Sequence, residues 1–252
     1  MKARNGQPPI GILVAVEEEF RAVSRRLTAL SLEERLRGNA DADIVMAKSG
    51  MGAERACACA ETLIACCKPR LLLIAGFCAG LTEEAAPGDL ILPAEAMDRT
   101  SGQRYLPAPA LLAAAQSARP PGIPLHTGRL LTATRIARTT GEKQAIRSEW
   151  AEATALDMET TGAVAAAEAA GIPWLAVRAV TDGLRDSLPF HFAPWTDPRT
   201  GEIIRSRVAA AALTHPWKIP ALIRLGARST RAARCLALYL ESLVHALPAP
   251  SS

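Results

Sequence analysis

Short apolar blocks alternate with longer amphipathic stretches along the chain up to Asp182. Residues 10–16 form an uninterrupted apolar run, which predicts a buried strand. Glu17, Glu18 and Glu19 then open a helix, with Phe20, Val23, Leu27 and Leu30 at helical spacing and Arg21, Arg25 and Arg26 on its solvated side. The pattern repeats with a strand over 43–49, a tight Gly50-Met51-Gly52 turn and an alanine-rich helix over 53–67, stopped by Lys68-Pro69. A third buried strand over 71–75 is expected to break into the glycine-bearing loop GFCAGL, and a fourth covers 89–93. One helix, 108–118, is expected inside a Pro-, Ser- and Arg-rich stretch. Strand character returns at 128–133, and a strand end, a helix capped by Gly171 and an apolar strand over 174–180 follow.

Strands separated by helices, without hairpin signals, predict a three-layer α/β/α fold around a mixed, largely parallel sheet. Ligands of such sheets bind beyond the carboxyl ends of the strands. After Asp182 the pattern changes to a Pro- and aromatic-bearing loop and then to helical segments broken around Pro216-Trp217 and Pro220. The expected organisation is a core over 8–200 and a basic helical extension of the same domain over 201–247, with a frayed tail beyond.

Composition narrows the class. The chain has 252 residues, 49% hydrophobic, 21% charged and only 4% aromatic, which suits aliphatic helices on a buried sheet better than a β-sandwich. Its longest uncharged apolar run, residues 71–81, is too short for the roughly 20 residues of a membrane-spanning helix. No apolar leader with a small-residue cleavage site follows Lys2 and Arg4, so a cytoplasmic protein is expected. The six cysteines lack zinc spacing and read as reduced, small apolar residues. His126, His191, His215 and His245 are scattered, with no base-nucleophile-orienter arrangement, and the two-glycine turn falls short of a dinucleotide fingerprint because Arg55 stands where its third glycine belongs. No metal or organic cofactor is implied.

The formal net charge of +4 concentrates near the C-terminus, where Arg205, Arg207, Lys218, Arg224, Arg228, Arg231 and Arg234 face one acid, Glu241. Few aromatics and no recognition motif argue against nucleic acid as the partner. Helical spacing of apolar residues beside these arginines fits either a helix docked on the core with a solvated basic face or a surface resting on anionic lipid.

Three carboxylates stand at predicted strand ends: Glu19, Glu159 and Asp182. Singly, each also reads as a first-turn helix acid or an Asp-Gly turn. Buried acids need partners or protons, so three of them aimed at one cleft would be chemically significant.

Four segments in order carry a family resemblance: GILVAVEEEF, SGMGAERACACA, GFCAGLTEEAAPGDLIL and ALDMETTGAVAAAEAAGIPWLAVRAVTDG. Together they resemble the purine nucleoside phosphorylase and nucleosidase superfamily, most closely its methylthioadenosine/S-adenosylhomocysteine nucleosidase branch. The resemblance implies cleavage of an N-glycosidic bond with release of adenine. It makes Asp182 the acid that protonates purine N7, Glu159 the acceptor of ribose hydroxyls, Met158 a sugar contact and Glu19 the group that orients or deprotonates water. Arg178 and Phe77 would lie near the nucleophile, and Ile136 and Ala137 would line the base pocket.

Phosphorylases of this fold neutralise phosphate with residues absent here; Ile74 and Phe77 occupy the matching central-loop positions. That departure implies water as nucleophile, although Arg178, Ser49 or Arg135 offers an unfamiliar anion site. RDSLP and HPWKIPALIRL are similar to the tail of hopanoid-associated phosphorylases, which implies phosphorolysis, an adenosylhopane-like substrate and peripheral contact with the inner membrane face. The superfamily further implies a homo-oligomer. The alternatives are a methylthioadenosine/S-adenosylhomocysteine nucleosidase and, in another class, an inactive nucleoside-binding or lipid-surface module.

Overall fold

The computed structural model describes residues 8–27, 30–33 and 43–247. The expected tail beyond 247 and the extreme N-terminus lie outside the described residues. Nine strands occur among them: β1 (Ile10–Val14), β2 (Leu30–Ser31), β3 (Ile44–Lys48), β4 (Leu71–Gly80), β5 (Leu90–Asp98), β6 (Arg104–Tyr105), β7 (Leu125–Thr132), β8 (Ala153–Asp157) and β9 (Trp174–Asp182). They run in the order β2-β3-β1-β4-β8-β7-β5-β6, with β9 paired to both β4 and β5. Most pairs are parallel, whereas β4–β8, β5–β6 and β5–β9 are antiparallel.

Side chains along β4 alternate between two cores, as the two-residue period of a strand requires. Leu71, Leu73 and Ala75 join one core with Ile12, Val177 and Leu240, while Leu72 and Ile74 join the other with Ala60, Leu63 and Ala163. Helices α1 (Glu17–Ser24), α3 (Pro109–Ser117) and α7 (Ile219–Ala246) cover the first face. Helices α2 (Ala53–Cys67) and α5 (Thr160–Ala169) cover the second. These two approach so closely that a Cβ on Gly162 would lie 1.9 Å from the Ala53 carbonyl oxygen. A smaller core joins α4 (Thr140–Glu149), through Ile146, to Leu131 and Leu156.

Three expectations change. The first helix ends at Ser24, and Leu30 belongs to β2, so apolar spacing carried the reading one turn too far. The glycine segment 76–80 does not break into a loop but continues β4, held by parallel pairing from Leu72 on Trp174 to Cys78 on Val180. The fourth strand runs on from Pro93 to Asp98 through a bulge. After α6 (Arg205–Thr214) and a 3-10 turn at Pro216–Lys218, only the C-terminal half of α7 is buried, from Ala232 onward, with Tyr239 donating a hydrogen bond to the Ala115 carbonyl at 2.7 Å. All six cysteines are free.

Candidate active site

Parallel β1, β4 and β9 point their carboxyl ends the same way, β1 stopping beside Ile74 while β4 and β9 run on, and antiparallel β8 brings its own C-terminus back toward the same place by pairing Leu156 with Ala79. Beyond these ends lies a cavity of about 980 Å³. Glu19, Phe77, Met158, Glu159, Asp182, Ile136 and Ala137 all line it. Arg178 does not; it stands behind the wall, 1% exposed.

Glu19 reaches that position because α1 begins immediately after β1. As the third helical residue it folds back, and its Oε2 accepts hydrogen bonds from the amides of Ala15 (2.8 Å) and Val16 (3.0 Å), which the first turn leaves unpaired. Its Oε1 accepts from the Phe77 amide at 2.7 Å. That donor is free because β1 pairs with β4 only as far as Ile74, and β8 takes over only at Ala79. Burial nevertheless raises the Glu19 carboxyl above its ordinary range, against the lowering effects of these amides and of Arg178.

Behind Glu19 and Glu159 lies one guanidinium. Arg178 donates to the Thr160 hydroxyl through Nε (3.0 Å) and Nη2 (2.7 Å), and Nη2 also meets Asp157 Oδ2 at 2.7 Å. Asp157 is further engaged by the Thr132 hydroxyl and the Thr160 amide. A Cβ on Gly76 would sit 2.3 Å from Arg178 Nη1, so the bare glycine in β4 makes room for the buried cation.

Glu159 receives less help. Its Oε1 accepts from the Gly52 amide at 3.1 Å, and Oε2 lies 3.6 Å from Arg178 Nη1. Burial, with Asp157 and Glu19 nearby, overcomes Arg178 and pushes this carboxyl up to about 7. The glycine turn before α2 thus supplies a hydrogen bond to the site, a role that sequence spacing did not reveal.

Asp182 closes β9. Its Oδ1 accepts from the Thr181 hydroxyl at 2.7 Å, and its Oδ2 accepts from Lys143 of α4. Lys143 is fully buried, and sequence reading overlooked it. The available signal was its spacing of three from Ile146, which places a lysine on the apolar stripe of a helix.

Of the other anion candidates, Ser49 directs its hydroxyl to the Gly50 carbonyl at 2.8 Å, and exposed Arg135 lines the cavity near Ile136. Ile74 is buried in the core. No metal-binding cluster occurs among the described residues. The cavity's outer arm runs between α1 and α7, past Ala22, Leu222, Leu225, Gly226, Ser229 and Ala233. Beside these, Glu18 and Arg21 of α1, Arg25 and Arg26 just after it, and Thr230 and Arg234 of α7 also line it.

A 5′-methylthioadenosine/S-adenosylhomocysteine nucleosidase of Staphylococcus aureus is 25% identical over 195 residues, covering 69% of this chain and 86% of that protein. Among solved structures, the nucleosidase of the same name from Neisseria meningitidis, in complex with methylthio-immucillin-A, has a TM-score of 0.72 at 18% identity, over 96% of this chain and 100% of that one. The futalosine hydrolase of Helicobacter pylori gives 0.68 at 16% identity, over 95% and 98%. Residues 9–214 match the family model of the phosphorylase superfamily, and the chain therefore belongs to that superfamily.

Proposed function

We propose that the protein is an enzyme that cleaves the N-glycosidic bond of an adenosine-type nucleoside carrying an apolar 5′ substituent, releasing adenine. The observation that carries this reading is the meeting of Glu19, Glu159 and Asp182 in one cavity that continues past Leu222, Leu225 and Ala233 of α7. The nucleosidase relatives point to the same bond.

In this reaction the C1′–N9 bond breaks with its electron pair leaving on the base. Asp182 gives a proton to N7, so the base departs neutral. Glu159 accepts hydrogen bonds from the ribose hydroxyls, and its negative charge favours the oxocarbenium character developing at C1′. Met158 packs on the sugar, and Ile136 and Ala137 flank the base. Water attacks C1′ and passes a proton to Glu19, whose affinity for protons burial raises above that of an ordinary carboxylate. Water is preferred to phosphate because Arg178 stands behind the cavity wall, its Nε and Nη2 held by Thr160 and Asp157.

Leu222, Leu225 and Ala233 along the outer arm support a large hydrocarbon substituent, as in adenosylhopane, in place of methylthio or homocysteinyl. Contact with an anionic membrane surface through the junction of α6 and α7 would deliver such a substrate. Exposed Leu213, Trp217 and Ile223 there, beside Lys218 and Arg224, support that contact.

The test is chromatographic detection of adenine from 5′-methylthioadenosine, S-adenosylhomocysteine, adenosine and a long-chain 5′-alkyl adenosine, each with and without phosphate. Preferred release from the alkyl substrate without phosphate is expected. Preference for the small thio-nucleosides would make the protein a nucleosidase of the relatives' type. A requirement for phosphate would replace water as the nucleophile, and no release from any substrate would leave a binding module.

A further inference from the structure

Lys143 has no part in the reaction above, yet its setting is specific. Burying an ammonium group costs several kcal/mol unless acceptors surround it. Here all three of its protons have one: Asp182 Oδ2, the Gly183 carbonyl at 2.8 Å and the Asp186 carbonyl at 2.9 Å. The two carbonyls belong to the turn that leaves Asp182, closed by hydrogen bonds from the Asp186 amide to the Gly183 carbonyl (3.0 Å) and from the Gly183 amide to Asp186 Oδ2 (2.9 Å). Asp186 Oδ1 then pairs with Arg228 of α7 at 2.8 Å. Lys143 therefore joins α4, the end of β9 and the turn behind it at one point, and it does not line the cavity.

A carboxyl group has two lone-pair sites on each oxygen. In Asp182 one site on each is filled from within the protein, by Thr181 on Oδ1 and Lys143 on Oδ2. Two donors on different oxygens fix the carboxyl plane as one could not. The neighbouring charges are already matched: Arg178 with Asp157, and Arg228 with Asp186. The Cys78 thiol, pushed up by burial, carries no charge at neutral pH. Lys143 is left as the charged donor turned on Asp182 Oδ2, and the proton that Asp182 gives to N7 is carried on the remaining site of Oδ1.

We infer that Lys143 is a positioning residue for the proton-donating carboxyl of Asp182, acting through it on the departure of the base and not on the sugar. This rests on the role proposed for Asp182. Rate is sensitive to such placement, since a misplacement of about 1 Å can cost on the order of 100-fold.

The experiment compares wild type, Lys143→Met, Asp182→Asn and the double variant on two substrates: the preferred adenosine-type nucleoside and para-nitrophenyl riboside, whose leaving group departs without a proton. Lys143→Met is expected to lower kcat for adenine release by about 10- to 100-fold with KM nearly unchanged. It should spare the nitrophenyl substrate and cost little more once Asp182 is Asn. Lys143→Gln, which keeps a donor in the turn, serves if the methionine variant does not fold, and should show the same selectivity. Equal losses on both substrates, or losses that multiply with Asp182→Asn, overturn the inference by reducing Lys143 to a structural lysine. An Asp182→Asn variant as active as wild type overturns instead the acid role on which it rests, and the inference falls with it.

Discussion

Arg178 Nη1 stands 3.6 Å from Glu159 Oε2, whereas Nη2 of the same guanidinium lies 2.7 Å from Asp157 Oδ2. The cation is thus committed to Asp157 and Thr160, and Glu159 feels its field without a hydrogen bond from it. A buried acid in that position keeps its proton up to about pH 7.

A stability slope follows. In the unfolded chain this proton leaves near 4.5, the ordinary value, whereas in the folded protein it stays until about 7. Between those values the folded state binds more protons, so stability falls as pH rises through that window. The contribution is on the order of 3 kcal/mol for a shift of this size. Glu19, also raised by burial, adds a slope of the same sign. Urea unfolding of Glu159→Gln should show a much shallower loss between pH 5 and 7.5 than wild type. An unchanged slope would place the proton elsewhere.

The ionised form of Glu159 is the one suited to ribose hydroxyls and to positive charge at C1′. Over the same window, kcat/KM should therefore rise with pH even as stability falls. Glu159→Gln should flatten that rise and lower the plateau. A wild-type profile flat from pH 5.5 to 8 would remove Glu159 from the reaction.

Gly76 faces two charged groups. A Cβ there would meet Arg178 Nη1 at 2.3 Å and Glu19 Oε1 at 3.0 Å. Arg178 cannot yield cheaply, being held by Asp157 and Thr160. Gly76→Ala should destabilise the protein by about 1–3 kcal/mol, as overpacking does, and reduce turnover through displaced Glu19. Thermal unfolding and initial rates check both; an alanine variant equal to wild type would show that the wall behind Glu19 is soft.

These relationships differ in how far sequence could reveal them. Glu19, Glu159 and Asp182 were legible because apolar runs mark strand ends and each acid follows one. Arg178 was legible as a residue but not in its orientation: an arginine inside an apolar strand does not disclose that Asp157, Thr160 and a glycine across the sheet receive it. Segment 76–80 misled for the same reason, since its glycines look like a loop until β9 supplies the partner. Lys143 was hidden because helix α4 has an otherwise polar composition, and a lysine reads as solvated until Gly183 and Asp186 close over it. Local propensity could show none of these long-range acceptors.

The outer arm of the cavity offers a separable test of substrate size. Gly226 lines it from α7, and a Cβ added there meets nothing within 4 Å. Gly226→Leu should project into the arm while improving helix propensity by about 1 kcal/mol, so stability should not fall. Adenine release from a long-chain 5′-alkyl adenosine should drop at least about tenfold, with 5′-methylthioadenosine nearly unaffected. Equal effects on the two substrates would mean that the 5′ substituent does not run along α7.

Membrane contact is testable at the junction of α6 and α7. Leu213, Trp217 and Ile223 are 81%, 70% and 66% exposed at the junction of α6 and α7, a concentration of large apolar surface that water disfavours. Lys218 and Arg224 flank it, and each basic residue close to an anionic bilayer contributes about 1 kcal/mol. No helix among the described residues is long and apolar enough to cross a membrane. The protein should therefore sediment with phosphatidylserine-containing vesicles, less with pure phosphatidylcholine, and progressively less as salt screens the charges. Replacing the three apolar residues by serine should abolish sedimentation while sparing turnover of a short, soluble nucleoside. If the triple variant instead changes only the oligomeric state, the patch joins copies of the chain, and an apolar substrate must reach the cavity through water.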